Sequence, residues 1–172
     1  MEPDTTNIIS FVARESKSGK TTLIEGLIKE LKQRDIKVSV IKHSKYSSEV
    51  QVDKEGKDSW RFVQSGADRV MLFTDQFLYM YENKPAEIDH IISLASQDVG
   101  IVIIEGFKEG PFKKVEVFRK GNNNTTPLSV ERPDKNFIAI VSDTKIDCSI
   151  PCFSFDDIKG ITDFLMGYIS KH

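Results

Sequence analysis

This sequence of 172 residues has few cysteines, a small net charge and no long apolar run. The two cysteines, Cys148 and Cys152, are too few for a zinc site, and we interpret them as reduced thiols of a cytoplasmic protein. Lys and Arg number 24 against 26 Asp and Glu, which gives a formal net charge of −2. The chain therefore has no bulk attraction for nucleic acid or for an anionic membrane, and any anion site must be local.

Targeting and membrane-spanning patterns are also missing. The first residues, Met1 to Asp4, are acidic and polar where a signal peptide would be basic and then apolar. No apolar stretch approaches the roughly 20 residues that span a bilayer. Hydrophobic residues make up 39% and charged residues 29%, an ordinary globular balance. We therefore expect a cytoplasmic protein that folds as a single domain over residues 1–172.

Short apolar strands alternate with amphipathic helices along the chain. This order predicts an α/β fold with a mainly parallel sheet, into which an antiparallel hairpin at 69–81 is inserted. We expect the strand at 115–118 to be weak and to lie at an edge. Asp58 or Ser59 is the predicted cap of the second helix and Asp156 that of the last. The predicted strands are 7–13, 36–42, 69–73, 77–81, 99–104, 115–118 and 137–141, and the predicted helices are 20–34, 57–65, one that Pro85 opens and one that follows Asp156.

A phosphate-binding loop of the Walker A type is predicted between the first strand and the first helix. Unpaired N–H groups at a helix start bind phosphate oxygens, and Gly19 lets the backbone approach them closely. Lys20 would reach the β- and γ-phosphates, and the Thr21 hydroxyl would complete the shell of a magnesium ion. Arg14 stands where the full pattern has glycine, so the shape of the loop is open at this stage. The loop residues are Ser16, Lys17, Ser18, Gly19, Lys20, Thr21 and Thr22.

An acidic residue accompanies this loop. Glu105 follows the apolar strand 99–104, and α/β sheets place their sites at the carboxyl ends of such strands. A carboxylate there orders the magnesium shell, although a solvent-exposed acid is the alternative interpretation. Asp53 and Asp58 are weaker candidates for metal or substrate contacts. We assign catalytic roles to Lys20 and Glu105, with Thr21 and Glu105 at the metal.

Several separated segments together resemble one family, that of the molybdopterin-guanine dinucleotide biosynthesis protein B (MobB). Their order and approximate spacing match over nearly the whole chain. The combination is more specific than a phosphate loop alone. The segments are FVARESKSGKTTL (11–23), VIKH (40–43), GKDS (56–59), SGA (65–67), VIIEGFK (102–108), KVEVFR (114–119) and IAIVSD (138–143).

The resemblance implies a P-loop NTPase-like three-layer fold that binds GTP and Mg²⁺. It implies slow or accessory GTPase activity in the last step of molybdenum cofactor maturation, in support of the guanylyltransferase that joins GMP to molybdopterin. It also implies a homodimer. By motif, Glu105 would be the Walker B-like acid, Lys42, His43 and residues 57–59 would line the cleft, and Asp143 would read a guanine edge.

Two other functions stay open at this point. A small P-loop metabolite kinase would usually carry an arginine-rich lid, and Arg119 and Arg132 do not form a tight basic cluster in the sequence. A non-catalytic adaptor that serves a partner enzyme is favoured by the substitution at Arg14. The sequence also has Lys45 and Tyr46 where the family usually places further histidines.

Overall fold

The computed structural model describes residues 7–44, 54–121 and 126–171. The chain divides into two compact units, one of Met1–His43 with Ile92–His172 and one of Ser44–Ile91. Each unit is described by itself below. That residues 1–172 act as one domain stays a prediction.

Eight strands and five helices are found within the described ranges. The strands are β1 (Ile8–Val12), β2 (Val38–Lys42), β3 (Arg69–Phe73), β4 (Leu78–Glu82), β5 (Ile101–Glu105), β6 (Lys113–Phe118), β7 (Phe137–Ser142) and β8 (Cys152–Phe153). The helices are α1 (Lys20–Gln33), α2 (Asp58–Gln64), α3 (Ile88–Ala95), α4 (Leu128–Glu131) and α5 (Ile158–Ile169). Among the described residues, none of these helices is long and apolar enough to cross a membrane.

A six-stranded sheet organises the first unit. Its strand order is β2-β5-β1-β6-β7-β8, and every neighbouring pair is parallel. The first strand of the chain lies in the middle, between β5 and β6, so the connections run to both sides of it. This arrangement confirms the predicted α/β fold with a mainly parallel sheet.

Apolar side chains cover both faces of this sheet. On one face Ile9 and Phe11 of β1 join a core to which α1 contributes Leu27 and α5 contributes Leu165, all fully buried. On the other face Ile8 is fully buried as well. Burial on both faces is why β1 and β5 are almost continuously apolar in sequence.

The structure corrects the prediction for β6, which lies between β1 and β7 and is not an edge strand. Its polar residues suggested exposure, yet Glu116 is fully buried and Lys114 is only 6% exposed. The Glu116 carboxylate accepts the N–H groups of Leu128 and Ser129 at 2.6 and 2.8 Å, at the start of α4. These contacts satisfy a buried charge, so a polar residue can occupy a central strand.

Smaller differences concern helix ends. The residue that caps α2 is Lys57, without a side-chain bond, and not Asp58 or Ser59. The last helix is capped by Asp157, whose side chain accepts the N–H of Gly160, and not by Asp156. The third helix begins three residues after Pro85. Both α4 and β8 were missed, since they have only four and two residues.

The second unit contains the predicted hairpin, which forms a two-stranded sheet of its own. Strands β3 and β4 are antiparallel, with Phe73 paired to Leu78 at the turn. Several large apolar side chains of this unit are exposed, and Phe73 is the most exposed of them at 77%. The others are Phe62, Met71, Leu72, Phe77 and Leu78. Met71 and Phe73 alternate along β3 to the same side of the hairpin, where Leu78 lies opposite Phe73, and we call these three residues the hairpin face.

Glu82 at the end of β4 ties together several cations of the second unit. It contacts Arg69, Lys84 at 3.3 Å and His90 Nε2 at 2.9 Å. The His90 hydrogen bond, with those from Arg69 and Lys84, lowers the pKa of Glu82 from 4.5 to about 2. A lowered pKa means that the folded unit binds the proton more weakly than the unfolded chain. The stabilisation from Glu82 is therefore present above about pH 4.5 and lost as the pH falls toward 2.

We expect Glu82→Gln to lower the unfolding midpoint of this unit at pH 6 and to have little effect at pH 2. The measurement is thermal unfolding followed by the fluorescence of Trp60, the one tryptophan of the chain, which lies in α2 of the same unit. A difference between the two proteins that does not change from pH 6 to pH 2 would contradict this assignment.

Candidate functional site

The candidate site lies at the carboxyl ends of the central strands. Residues 16–22 follow β1, and Glu105 is the last residue of β5, which is paired to β1. In the sheet, β5 lies on one side of β1 and β6 lies on the other, so the chain crosses β1 as it runs from β5 to β6. Ligands of open α/β sheets bind in the crevice at such a switch point.

Gly19 shapes the turn into α1. It is the N-cap residue of that helix, with a φ of 91° that side chains rarely tolerate, and no side chain caps the first turn. A Cβ at this position would lie 3.2 Å from Arg119 Nη2 and 3.4 Å from Phe155 Cε1. Glycine is therefore favoured by the backbone conformation, and a side chain here would also crowd its neighbours. The helix start presents its N–H groups and positive dipole end to an anion.

Lys20 carries a half-buried ammonium group whose hydrogen-bond partners are uncharged. Its Nζ lies 3.1 Å from Ser18 Oγ and 3.4 Å from the carbonyl oxygen of Glu15. Burial lowers the pKa of Lys20, the charge of Glu105 opposes this, and the charge of Lys108 adds to it. Because this cation has lost hydration without gaining a direct carboxylate partner, it is suited to an incoming phosphate.

Thr21 and Glu105 meet across the same site. The Thr21 hydroxyl donates to Glu105 Oε1 at 2.9 Å. Ser10, buried in β1, donates to the carbonyl oxygen of Gly106 at 2.6 Å and so fixes the end of β5 against β1. Hydroxyl and carboxylate oxygens are the ligands that Mg²⁺ prefers, so this pair fits the predicted metal.

These groups line an open cavity of about 350 Å³, formed by Ser16, Lys17, Ser18, Gly19, Lys20, Thr21, Thr22 and Glu105. Pockets of a few hundred Å³ are the usual size of small-molecule sites. Across the described residues, no three His, Cys, Asp or Glu side chains gather into a metal cluster. A Mg²⁺ ion here would therefore complete its shell with phosphate and water oxygens.

Arg14 is not among the residues that line this cavity, and its guanidinium has other partners. Its Nη2 donates to the carbonyl oxygen of Thr126 at 3.0 Å and contacts the Glu131 carboxylate. Its own carbonyl oxygen accepts a hydrogen bond from Lys108 Nζ at 2.8 Å. The backbone of Arg14 is outside the left-handed region, so glycine is not needed at this position for its conformation.

Two further predicted residues lie beside neighbouring strand ends. The N–H of His43, just after β2, donates to the carbonyl oxygen of Glu105 at 3.4 Å, and the His43 ring lies 5.6 Å from that of Phe107. Asp143 follows β7, and its Oδ1 accepts the N–H of Lys120 at 3.0 Å. The guanine contact of Asp143 stays a prediction.

The remaining predicted contacts lie elsewhere or outside the described residues. Lys42 is the last residue of β2 and is paired with Glu105 in the sheet. Residues 57–59 belong to the second unit, and their part in a cleft stays a prediction. Asp53 lies outside the described residues, as do Lys45 and Tyr46.

Comparisons with known proteins bear on this geometry. The model of the family described as "Molybdopterin guanine dinucleotide synthesis protein B", or MobB, matches residues 8–143. The chain belongs to the MobB family. A molybdopterin-guanine dinucleotide biosynthesis adapter protein of Haemophilus influenzae is 37% identical to it over 157 residues, which are 90% of this chain and 85% of that protein. One of Escherichia coli is 30% identical over 169 residues, covering 95% and 94%.

A solved MobB structure has the same fold. The crystal structure of Bacillus subtilis MobB superposes with a TM-score of 0.74 and 26% identity, covering 93% of this chain and 96% of that one. The family match includes the loop at 16–22, Glu105 and Asp143. The predicted membership and the P-loop NTPase-like fold are thereby confirmed.

Two basic residues at this MobB site were missed by sequence reasoning. Lys108 lies near enough to Lys20 to lower the pKa of its ammonium, and Arg119 donates from Nε to the carbonyl oxygen of Ser18 at 3.2 Å. Both lie within the segments that resemble the MobB family, 102–108 and 114–119. Nothing in the local pattern indicates that they reach the loop, because both contacts join residues far apart in the chain.

Proposed function

We propose that the chain is a magnesium-dependent GTP-binding protein that supports molybdenum cofactor biosynthesis as an accessory factor. The relatives are named as adapter proteins of molybdopterin-guanine dinucleotide biosynthesis. The proposal of GTP binding rests on one observation: Lys20, Thr21 and Glu105 lie together at the start of α1. The names of the relatives and this site geometry together favour a nucleotide-dependent step that attaches GMP to molybdopterin.

The residues would act mainly by holding and neutralising phosphate. The N–H groups at the start of α1 bind phosphate oxygens, and the Lys20 ammonium compensates their charge. Thr21 and Glu105 would hold Mg²⁺ or its waters, and a bound Mg²⁺ would supply positive charge to offset the charge that develops on the phosphoryl group. Among the described residues we find no side chain placed to activate an attacking water. We therefore propose slow hydrolysis, with a further group supplied by a partner.

The partner we propose is the guanylyltransferase-type enzyme that joins GMP to molybdopterin. An adapter that presents or retains a guanine nucleotide suits such a reaction, because GTP supplies the GMP group. The proposed location is the cytoplasm. We propose no nucleic-acid or membrane partner, in keeping with a formal net charge of −2.

The test is a titration of the purified chain with labelled GTP and ATP, with and without Mg²⁺. Magnesium-dependent binding with a preference for GTP supports the proposal. Rapid turnover of ATP with a metabolite acceptor would indicate a kinase instead. Absence of binding to either nucleotide would indicate an adaptor that works without one and would refute the nucleotide part of the proposal.

We also propose that the chain forms a homodimer through the hairpin face. Exposed apolar side chains on this scale mark interaction sites, since monomers rarely keep such groups in water. Phe73 and Leu78 are directly opposite each other at the turn and are 77% and 65% exposed. In a dimer, the hairpin faces of the two copies would pack together, and the apolar side chains of both would be buried.

We expect the double variant Phe73→Ser with Leu78→Ser to be monomeric under conditions in which the unchanged chain is a dimer. The measurement is molar mass by light scattering over a range of concentrations. Val130→Ser is the matched control, because Val130 is an exposed apolar residue of the first unit. A double variant that remains dimeric, with an unchanged dissociation constant, would refute the role of this face.

A further inference from the structure

Arg119 connects the phosphate loop to two other strand ends. It lies directly after β6, and its Nε donates to the carbonyl oxygen of Ser18 at 3.2 Å. Its guanidinium carbon lies 4.0 Å from the centre of the Phe155 ring, which follows β8. Its Nη1 lies 3.8 Å from Asp143 Oδ2, and Asp143 in turn accepts the N–H of Lys120. Four separate segments are therefore joined through one guanidinium.

The planar shape of this side chain suits the position. A guanidinium can lie flat on an aromatic ring and still donate in its own plane, which a lysine ammonium cannot do. Asp143 lies on one side of it at ion-pair distance, and the Phe155 ring packs against its flat face. The orientation of Nε toward Ser18 is thus set by two contacts outside the loop.

The contact reaches the turn of the loop at residues 17–19. Lys17 and Gly19, on either side of Ser18, both have a positive φ, of 61° and 91°. Positive φ costs energy for a residue such as lysine and persists only where neighbouring structure holds it. The Arg119 guanidinium packs closely against Gly19, and a Cβ at this position would lie 3.2 Å from its Nη2.

We propose that Arg119 is a positioning residue that holds the turn at 17–19 in the conformation that binds phosphate. The proposal rests on the proposed function for its ligand, a nucleoside triphosphate. Arg119 acts through the carbonyl oxygen of Ser18 and through contact with Gly19. Phe155 contributes to this positioning because the Arg119 guanidinium packs on its ring.

The first test needs no nucleotide. Hydrogen exchange of the Leu23 backbone amide, which donates to the carbonyl oxygen of Gly19 at 3.0 Å, is measured in the free protein for the unchanged chain and for Arg119→Ala, with Arg132→Ala as the control for loss of one arginine charge. Arg132 is an exposed arginine of the same unit, with its side chain 83% accessible. Because a turn released at 17–19 no longer holds the Gly19 carbonyl oxygen in place, we expect exchange at Leu23 to rise about tenfold in Arg119→Ala and to stay unchanged in Arg132→Ala, while exchange in β7 and α5 is unchanged in both variants.

The second test uses GTP with Mg²⁺. We expect the dissociation constant of GTP to be about tenfold higher for Arg119→Ala than for the unchanged chain. For Arg119→Lys we expect the logarithm of this constant to return less than half of the way to the value of the unchanged chain. Phe155→Tyr keeps the ring and should bind like the unchanged chain. Phe155→Leu removes the ring and should weaken binding about threefold.

Several outcomes would overturn the proposal. They are unchanged exchange at Leu23, a rise spread evenly over the whole protein, and full recovery by Arg119→Lys, which would show that charge alone matters. If the unchanged chain binds no nucleotide, the proposed function fails, while the exchange experiment still decides the role of Arg119. If the unchanged chain and Arg119→Ala bind GTP equally, the positioning role fails and the proposed function stands.

Discussion

Replacing Lys20 by alanine is expected to weaken magnesium-dependent GTP binding by at least about 100-fold. A hydrogen bond from a charged donor contributes roughly 1.5–3 kcal/mol, and Lys20 would make such bonds to two phosphate groups. The ammonium is already partly desolvated, and its pKa is lowered by burial, so phosphate is the partner that offsets this cost. The measurement is the dissociation constant of labelled GTP.

Stability should respond differently from binding. The partners of Lys20 in the free chain are a hydroxyl at 3.1 Å and a carbonyl oxygen at 3.4 Å, and neither carries a charge. We therefore expect the unfolding midpoint of Lys20→Ala to be unchanged or slightly raised. Lys29→Ala, on the exposed side of α1, is the control for the loss of one charge. Equal loss of binding in both variants, or a large loss of stability in Lys20→Ala, would argue against a specific phosphate contact.

Local sequence patterns were sufficient to predict the strands that are buried on both faces of the sheet. The apolar run of β1 and the helical spacing of Leu23, Leu27 and Leu31 in α1 predicted elements within about two residues of those observed. The pattern failed at β6, where Lys114 and Glu116 suggested an edge. Lys114 instead contacts Asp134 at 3.1 Å, and Glu116 caps α4. Such partners lie far along the chain, so no local pattern indicates them.

The candidate site likewise has a part that the sequence predicts and a part that only the folded chain shows. The loop from Ser16 to Thr22 is continuous in sequence, and its strand and helix neighbours were predictable, so its geometry followed. The contact of Thr21 with Glu105 joins residues 84 positions apart, yet the strand-end rule placed both at one edge of the sheet. Arg119 reaches Ser18 over 101 positions without any such rule. Its role became visible only from the folded chain.

Arg14 shows why a missing motif residue does not by itself change a loop. Glycine would have supplied conformational freedom at this position, but the observed backbone does not need it. The arginine side chain is used instead to contact Thr126 and Glu131, away from the phosphate cavity. The substitution therefore gives no support to an inactive loop.

Replacing Glu105 by glutamine is expected to remove most of the magnesium dependence of GTP binding. The amide oxygen of glutamine can still accept the Thr21 hydroxyl hydrogen that Glu105 Oε1 accepts at 2.9 Å, so the geometry is kept and the negative charge is lost. A hard divalent cation is held by charge as well as by oxygen ligands, so we expect Mg²⁺ to strengthen binding about tenfold less than in the unchanged chain. Slow hydrolysis should fall by at least about tenfold, because the metal neutralises charge on the phosphoryl group.

Without magnesium the same variant should bind GTP as well as the unchanged chain or better. A carboxylate beside the phosphate site repels phosphate, and its removal relieves that repulsion. Glu109→Gln, an exposed acid four residues along, is the matched control for the change in charge. If Glu105→Gln and Glu109→Gln show the same magnesium dependence as the unchanged chain, Glu105 does not act on the metal, and its hydrogen bond with Thr21 serves only to join β5 to α1.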